Sequence, residues 1–371
     1  MELKNINRRK FIKTGMGSVA AATLAGPVLH AETSKKTEPR GANGLISGSF
    51  ITCFHPNVWD MQYSDATLFW KEENWRALIQ DMHDIGMDTV IWANTAFWGR
   101  PLFPGYEKSV GLPLTMGCVD PLRPVAEEAD RLDMKVFYGM GLRGRVSQVR
   151  DYHRLQKPWP DSWFQWNNAL AEALVDRYGS HKSFAGLYNP YEIVFEDHHF
   201  ELYEKLVKGY LRPSIGSVPL LMSPGNLGSV PNPDTLIRDM ERIDIDILAP
   251  QDLGGRYQDN GQSIKSARKN AEALERFVQP LKNIGVTLWS NIETFDFEST
   301  PEGRNALIAG PIERIARQIE IQSPLVEKLI TWIYPGVMNR HTELVNIGHP
   351  STDKLYHDYV AYLKERKIKR L

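Results

Sequence analysis

Residues 286–293 read "VTLWSNIE". Every second residue in this stretch has a different character. Val286, Leu288, Ser290 and Ile292 make one set, and Thr287, Trp289, Asn291 and Glu293 make the other. Successive strand side chains point to opposite faces, so the first set suits a layer of helices and the second an interior. A strand that ends on Asn291 and Glu293, two groups that are costly to bury, is expected to end at an opening.

Seven more short runs of β-branched and aromatic residues lie around it. They are "LISGSFITCF" (45–54), "DTVIWAN" (88–94), "KVFYGMG" (135–141), "FAGLYNP" (184–190), "VPLLMSPG" (218–225), "IDILAPQD" (245–252) and "LITWIYPG" (329–336). Amphipathic stretches alternate with them. "EENWRALIQDMHDIG" stops at Gly86, "DPLRPVAEEADRLD" opens on a capping Asp120 and Pro121, and "SWFQWNNALAEALVDRYG" stops at Gly179. The remaining helices are expected over 198–211, 233–242, 262–284, 311–321 and 352–366. Eight alternating units predict an α/β fold, a single-domain (β/α)8 TIM barrel over residues 44–371. An open doubly wound sheet is the competing reading, but the first strand is followed by no glycine-rich phosphate turn.

The 371 residues carry a formal charge of −1, which gives no electrostatic case for a nucleic-acid partner. The two cysteines, Cys53 and Cys118, could pair but do not make a disulfide framework. "NRRKFIK" (7–13) and the Gly/Ala-rich apolar run behind it predict a twin-arginine export signal over residues 1–31. The export machinery would then be a partner, and the mature protein would be periplasmic or extracellular without a membrane span. Residues 32–43, "ETSKKTEPRGAN", read as a flexible tether.

In such barrels the active site lies at the C-terminal ends of the strands. His55 follows strand one, Asn94 and Trp98 strand two, and Arg143 and Arg145 strand three. Strand four brings Tyr188, Asn189, Tyr191 and Glu192, and strand five Asn226. Gln251 and Asp252 end strand six, Trp289, Asn291 and Glu293 strand seven, and Trp332 and Tyr334 strand eight. Two carboxylates at one opening are what glycosidic cleavage needs, one to protonate the leaving oxygen and one to attack or activate water. Flat indole and phenol faces can stack on sugar rings, which gives Trp98, Trp289, Trp332 and Tyr188 a role beyond filling a core. His55, Asn94, Tyr191, Asn226, Gln251, Asp252 and Asn291 could bind hydroxyls. Arg143 and Arg145 could hold an anionic sugar or neutralise Glu192 and Asp252.

Glutamates ending strands four and seven, each with an asparagine nearby, resemble the clan A glycoside hydrolases. That resemblance implies Glu192 as acid/base and Glu293 as nucleophile. Tyr191 stands where the clan has asparagine, and Asn189 lies three positions ahead of Glu192. Over the whole mature chain, "MHDIGMDTVIWA", "RYGSHKSFAGLYNPYEI", "LAPQD" and "WSNIETFD" resemble an uncharacterised barrel family related to those hydrolases. The expectation is an exported glycoside hydrolase acting on an oligosaccharide or polysaccharide, with no cofactor. Two other classes compete with it: a metal-dependent sugar isomerase-like barrel and a non-catalytic carbohydrate-binding barrel. "EDHH" (196–199) could supply metal ligands, or Asp197 could simply cap a helix.

Overall fold

A computed structural model describes residues 44–53, 67–97, 99–141, 161–191, 197–230, 232–257, 259–299 and 305–368. The signal and tether expected over 1–43 lie outside these residues.

Eight parallel strands form the inner wall: β1 (Ile46–Ile51), β2 (Thr89–Trp92), β3 (Lys135–Gly139), β4 (Phe184–Asn189), β5 (Leu220–Met222), β6 (Ile247–Leu248), β7 (Thr287–Leu288 and Ser290–Glu293, interrupted at Trp289) and β8 (Leu329–Trp332). The sheet runs from the upper half of β7 through β8, β1, β2, β3, β4, β5 and β6 to the lower half of β7. The ring therefore meets itself at β7. Its lower half pairs with β6 and its upper half with β8. Above the interruption, Asn291 N still donates to Pro250 O (3.0 Å), and Gln251 and Asn291 form a parallel bridge. This is the expected (β/α)8 barrel, in one domain.

Helices follow the strands in order: α1 (Glu72–Asp84), α2 (Leu122–Arg131), α3 (Asp161–Tyr178), α4 (Asp197–Leu206, continued by a π turn to Leu211 and a last turn to Ile215), α5 (Pro233–Ile243), α6 (Asn260–Asn283), α7 (Ile312–Gln322) and α8 (Ser351–Glu365). Their ends follow local chemistry. Gly86 takes φ +93° just past α1, a conformation that disfavours any residue with a Cβ. Asp120 Oδ1 accepts from Arg123 N (3.2 Å) at the start of α2, and Asp259 Oδ1 from Gln262 N (3.0 Å) at the start of α6. Two antiparallel hairpins, Ala96–Phe97 with Arg100–Pro101 and Phe295–Ser299 with Asn305–Ala309, were not expected. Both extend loops on the side where the strands end.

The interior is aromatic. Phe137 of β3 meets Trp289 edge to face across the barrel, with ring centroids 5.8 Å apart. One layer higher, Phe50 of β1 lies between Tyr188 (5.0 Å) and Trp332 (5.2 Å). Such pairs stabilise by about 0.5–1.5 kcal/mol beyond the area they bury. At the floor, Lys328 Nζ donates to Asp88 Oδ1 (2.6 Å) and Thr89 Oγ1 (2.7 Å) and lies 5.3 Å from the Trp289 ring centre. Cys53 and Cys118 are both buried and both free.

Closure brings β2 and β3 so near that Gly139 has no room for a side chain. A Cβ there would sit 2.6 Å from the carbonyl carbon of Ala93, and closer still to the carbonyl oxygens of Trp92 and Ala93. Backbone atoms cannot step aside as a flexible side chain can. Gly139→Ala is therefore expected to lower stability by about 1–3 kcal/mol, measured as an earlier midpoint in denaturant unfolding.

Candidate active site

Glu293 closes β7, in register with Trp332 at the end of β8. Asn291 and Glu293 face inward as their parity requires, while Ser290, one residue before Asn291, turns to the helices. Ser290 Oγ donates to Gln322 Oε1 of α7 (2.6 Å). Asn291 Nδ2 donates to Ser223 Oγ above β5 (3.0 Å), and its Oδ1 is buried without a partner. Gln251 lies beside it, donating from Nε2 to Ser223 O (3.3 Å). The mouth between β5 and β8 is thus lined by an amide pair, a hydroxyl, a carboxylate and a half-buried indole.

A backbone amide holds the Glu293 carboxylate in place. Gly255 N donates to its Oε2 at 2.9 Å, from the loop that follows β6. That loop can approach because residue 255 is glycine: a Cβ would lie 2.7 Å from Phe295 O and 2.8 Å from the Phe295 ring. The turn is made at Leu253, whose φ of +57° is left-handed. A leucine there costs roughly 1–2 kcal/mol, a local cost of the kind that recurs at functional sites.

Asp252 sits directly under this turn and is fully buried. Its Oδ1 accepts from Gly254 N (2.9 Å) and Glu293 N (3.1 Å). Its Oδ2 accepts from Gln318 Nε2 (2.7 Å) and Gln322 Nε2 (2.8 Å), both on α7. Burial pushes the Asp252 carboxyl above the usual range, and the bonds from Gln318, Gly254, Glu293 and Gln322 oppose that push without cancelling it. A carboxyl raised on folding contributes stability only in its neutral form. That contribution is complete below the unfolded pKa of about 3.9 and is lost as pH rises through the folded value.

Arg314 of α7 completes the surround. It is buried, and its guanidinium donates to Gly254 O through Nη1 and to Phe295 O through Nη2 (2.6 Å). Those two carbonyls belong to the two loops that flank Glu293. Burial holds the guanidinium below the ordinary arginine range, against the pull of Asp296, Asp252 and Glu293. Arg314, Gln318 and Gln322 recur every four residues in "IERIARQIEIQ", along the buried side of an amphipathic helix. That polar stripe on a core-facing side is the signal the sequence reading passed over. The GG of "PQDLGGR" is the other.

Of the expected site residues, the structure brings Glu293, Asn291, Gln251 and Trp332 together at the mouth. Asn94 is buried above β2, with its Oδ1 3.4 Å from Thr52 Oγ1. Asn226 caps the short turn Leu227–Ser229, accepting from Gly228 N (2.7 Å), and gives its Nδ2 to Asp252 O (3.3 Å). Four expectations need correcting. Asp252 lies beneath the opening and spends its oxygens on protein donors. Trp289 lies four residues below Glu293, roughly 13 Å down the strand, so it fills the core instead of the rim. Tyr188 is buried in the aromatic layer with Phe50. Tyr191 gives its hydroxyl to Gly141 O (2.9 Å) and receives Asn167 Nδ2 (2.9 Å) and Trp163 Nε1, which fixes it under α3. Glu192, His55, Trp98, Arg143 and Arg145 fall outside the described residues. So does Glu196 of the EDHH motif, and the Asp197, His198 and His199 side chains are likewise undescribed. Among the described residues no three of His, Cys, Asp and Glu form a group that could hold a metal ion, and no helix is long and apolar enough to cross a membrane.

The fold is a closed (β/α)8 barrel with a buried carboxylate held at the end of β7. Residues 46–342 match the family described as "Domain of unknown function (DUF4434)", and the chain belongs to that family. No curated protein matches the chain. Among solved structures, it is similar to one from Bacteroides thetaiotaomicron VPI-5482 that carries a provisional assignment as an alpha-L-fucosidase. That pair is 19% identical over 95% of this chain and 100% of the other, at a TM-score of 0.64. Lower similarity links it to the GH99 endo-alpha-mannosidase from Bacteroides thetaiotaomicron, at 11% identity over 87% and 97% of the two chains and a TM-score of 0.47. A modular family 26 endo-beta-1,4-mannanase from Cellulomonas fimi matches at 12% identity over 88% and 71%, with a TM-score of 0.48.

Proposed function

We propose that the protein is an exported glycoside hydrolase, directed to the periplasm or beyond by the twin-arginine segment at 1–31. The observation that carries this reading is the placing of Glu293. Its carboxylate stands at the mouth, held through Oε2 by the Gly255 amide and in strand register with Trp332. Glu293 acts as nucleophile or general base, and Glu192 of the strand-four end donates a proton to the leaving oxygen. A separation of roughly 5–5.5 Å between the two carboxyl groups would make the enzyme retaining, and roughly 6.5–9.5 Å inverting. Trp332 offers the sugar ring a flat face, and Asn291 and Gln251 offer amide groups to its hydroxyls. The substrate class is an oligosaccharide or a fragment of plant, algal or host polysaccharide.

The test is a turnover screen of the purified protein against a panel of 4-nitrophenyl glycosides and oligosaccharides, followed by chromatography of the products. New reducing ends support the reading. Saturable oligosaccharide binding without cleavage contradicts it and makes the barrel a carbohydrate-binding protein.

A further inference from the structure

We propose that Asp252 is the positioning residue of Glu293: its carboxylate fixes the β7 backbone and the Leu253–Gly255 turn in the one arrangement that delivers the Gly255 amide to Glu293 Oε2. The inference rests on the hydrolase reading for its catalytic consequence, but its geometric content stands apart.

Four bonds converge on Asp252, and all four partners are donors: two backbone amides and two side-chain amide nitrogens. A carboxylate offers about four acceptor sites and no proton, so the ionised acid satisfies this shell completely. An asparagine of the same size would turn an NH2 group toward two of those donors. The shell therefore selects for charge as well as for shape.

The endpoints of the bonds show what that charge is for. On one oxygen they are the amide of Glu293 itself and the amide of Gly254, next to the residue that grips the Glu293 carboxylate. On the other they are Gln318 and Gln322, one turn apart on α7. Gln318 Nε2 also reaches Glu293 O at 3.2 Å. Asp252 thus ties the catalytic strand end and its gripping loop to α7. Mere cohesion does not call for this arrangement. Packed apolar side chains of similar volume commonly hold a core as well as buried charge does, or better. Here a buried carboxylate and a left-handed leucine are kept in the same turn.

Two variants test the proposal, Asp252→Asn and Gln318→Met, each by crystallography and by kinetics on whichever 4-nitrophenyl glycoside the wild type cleaves. In Asp252→Asn, Glu293 Oε2 is expected to leave hydrogen-bond reach of Gly255 N. kcat should fall about 100-fold, the usual result of a misplacement near 1 Å, while KM stays within a few-fold. Gln318→Met, which retains three of the four bonds, should give a smaller fall in the same direction and decides the matter if Asp252→Asn does not fold. An intact Gly255–Glu293 bond with unchanged kcat overturns the proposal. So does a raised KM at unchanged kcat, which would make Asp252 a substrate ligand. If the wild type cleaves no glycoside, the hydrolase reading fails. The crystal structures then decide the positioning claim alone: displacement of the Glu293 carboxylate supports it, and an unmoved carboxylate overturns it.

Discussion

Replacing Glu293 by glutamine should lower the rate of glycoside hydrolysis by about 10²- to 10⁴-fold, the range over which a positioned acid or base contributes. The amide keeps the shape of the carboxylate and can still accept the Gly255 amide hydrogen through its carbonyl oxygen. It cannot attack an anomeric carbon or take a proton from water. The loss should therefore fall on kcat, with the KM for the same glycoside changed only a few-fold, because little of the binding surface has moved. Isothermal titration of the variant with an oligosaccharide substrate should give a dissociation constant close to that of the wild type. A variant that retains full turnover would remove Glu293 from the chemistry, whatever its position.

The second large effect falls on stability. Arg314→Met should destabilise the protein by about 2–4 kcal/mol, because two buried carbonyls, Gly254 O and Phe295 O, lose their guanidinium donors at once. Methionine fills much of the volume, so the cost is chiefly polar. Gly310 shows how closely the site is built around the arginine. A Cβ at that position would overlap Arg314 Nη2 and lie 2.9 Å from Thr294 O. Thermal unfolding of wild type and variant measures the difference. For a chain of this size roughly 1–2 °C of midpoint accompany each kcal/mol. A midpoint that does not move would mean that the carbonyls find other donors and that the two loops do not depend on this clamp.

The barrel was legible in the sequence because its signals are local. Apolar runs of strand length, each followed by an amphipathic stretch, need no long-range knowledge to be recognised. Parity in "VTLWSNIE" correctly placed Ser290 toward the helices and Asn291 toward the interior. Parity says nothing of height, however, which is why Trp289 was expected at the rim and lies near the floor beside Lys328. Strand six shows a second limit. "IDILAPQD" looks like one strand ending in Asp252, but Pro250 has no N–H for a ladder. The regular strand stops at Leu248, Gln251 rejoins Asn291 by a single bridge, and Asp252 turns under the loop. The groups that hold the Glu293 strand end come from a glycine pair, Gly254 and Gly255, before it in the chain and from one face of α7 after it. Only the closed barrel brings them together. The alternating phenylalanines of "FDFES" did carry a strand signal, and the hairpin built on them extends directly from the residue after Glu293 and Thr294.

The most direct test of the account is to digest an oligosaccharide in heavy-oxygen water and to weigh the fragments. Hydrolysis by an activated water or through a glycosyl-enzyme intermediate predicts one heavy oxygen in each newly formed reducing end, and about 10²- to 10⁴-fold slower formation of such labelled ends when Glu293→Gln replaces the wild type. Unlabelled rearranged sugar, or an oligosaccharide recovered whole from a protein that binds it, would contradict the assignment of Glu293 to glycosidic bond cleavage.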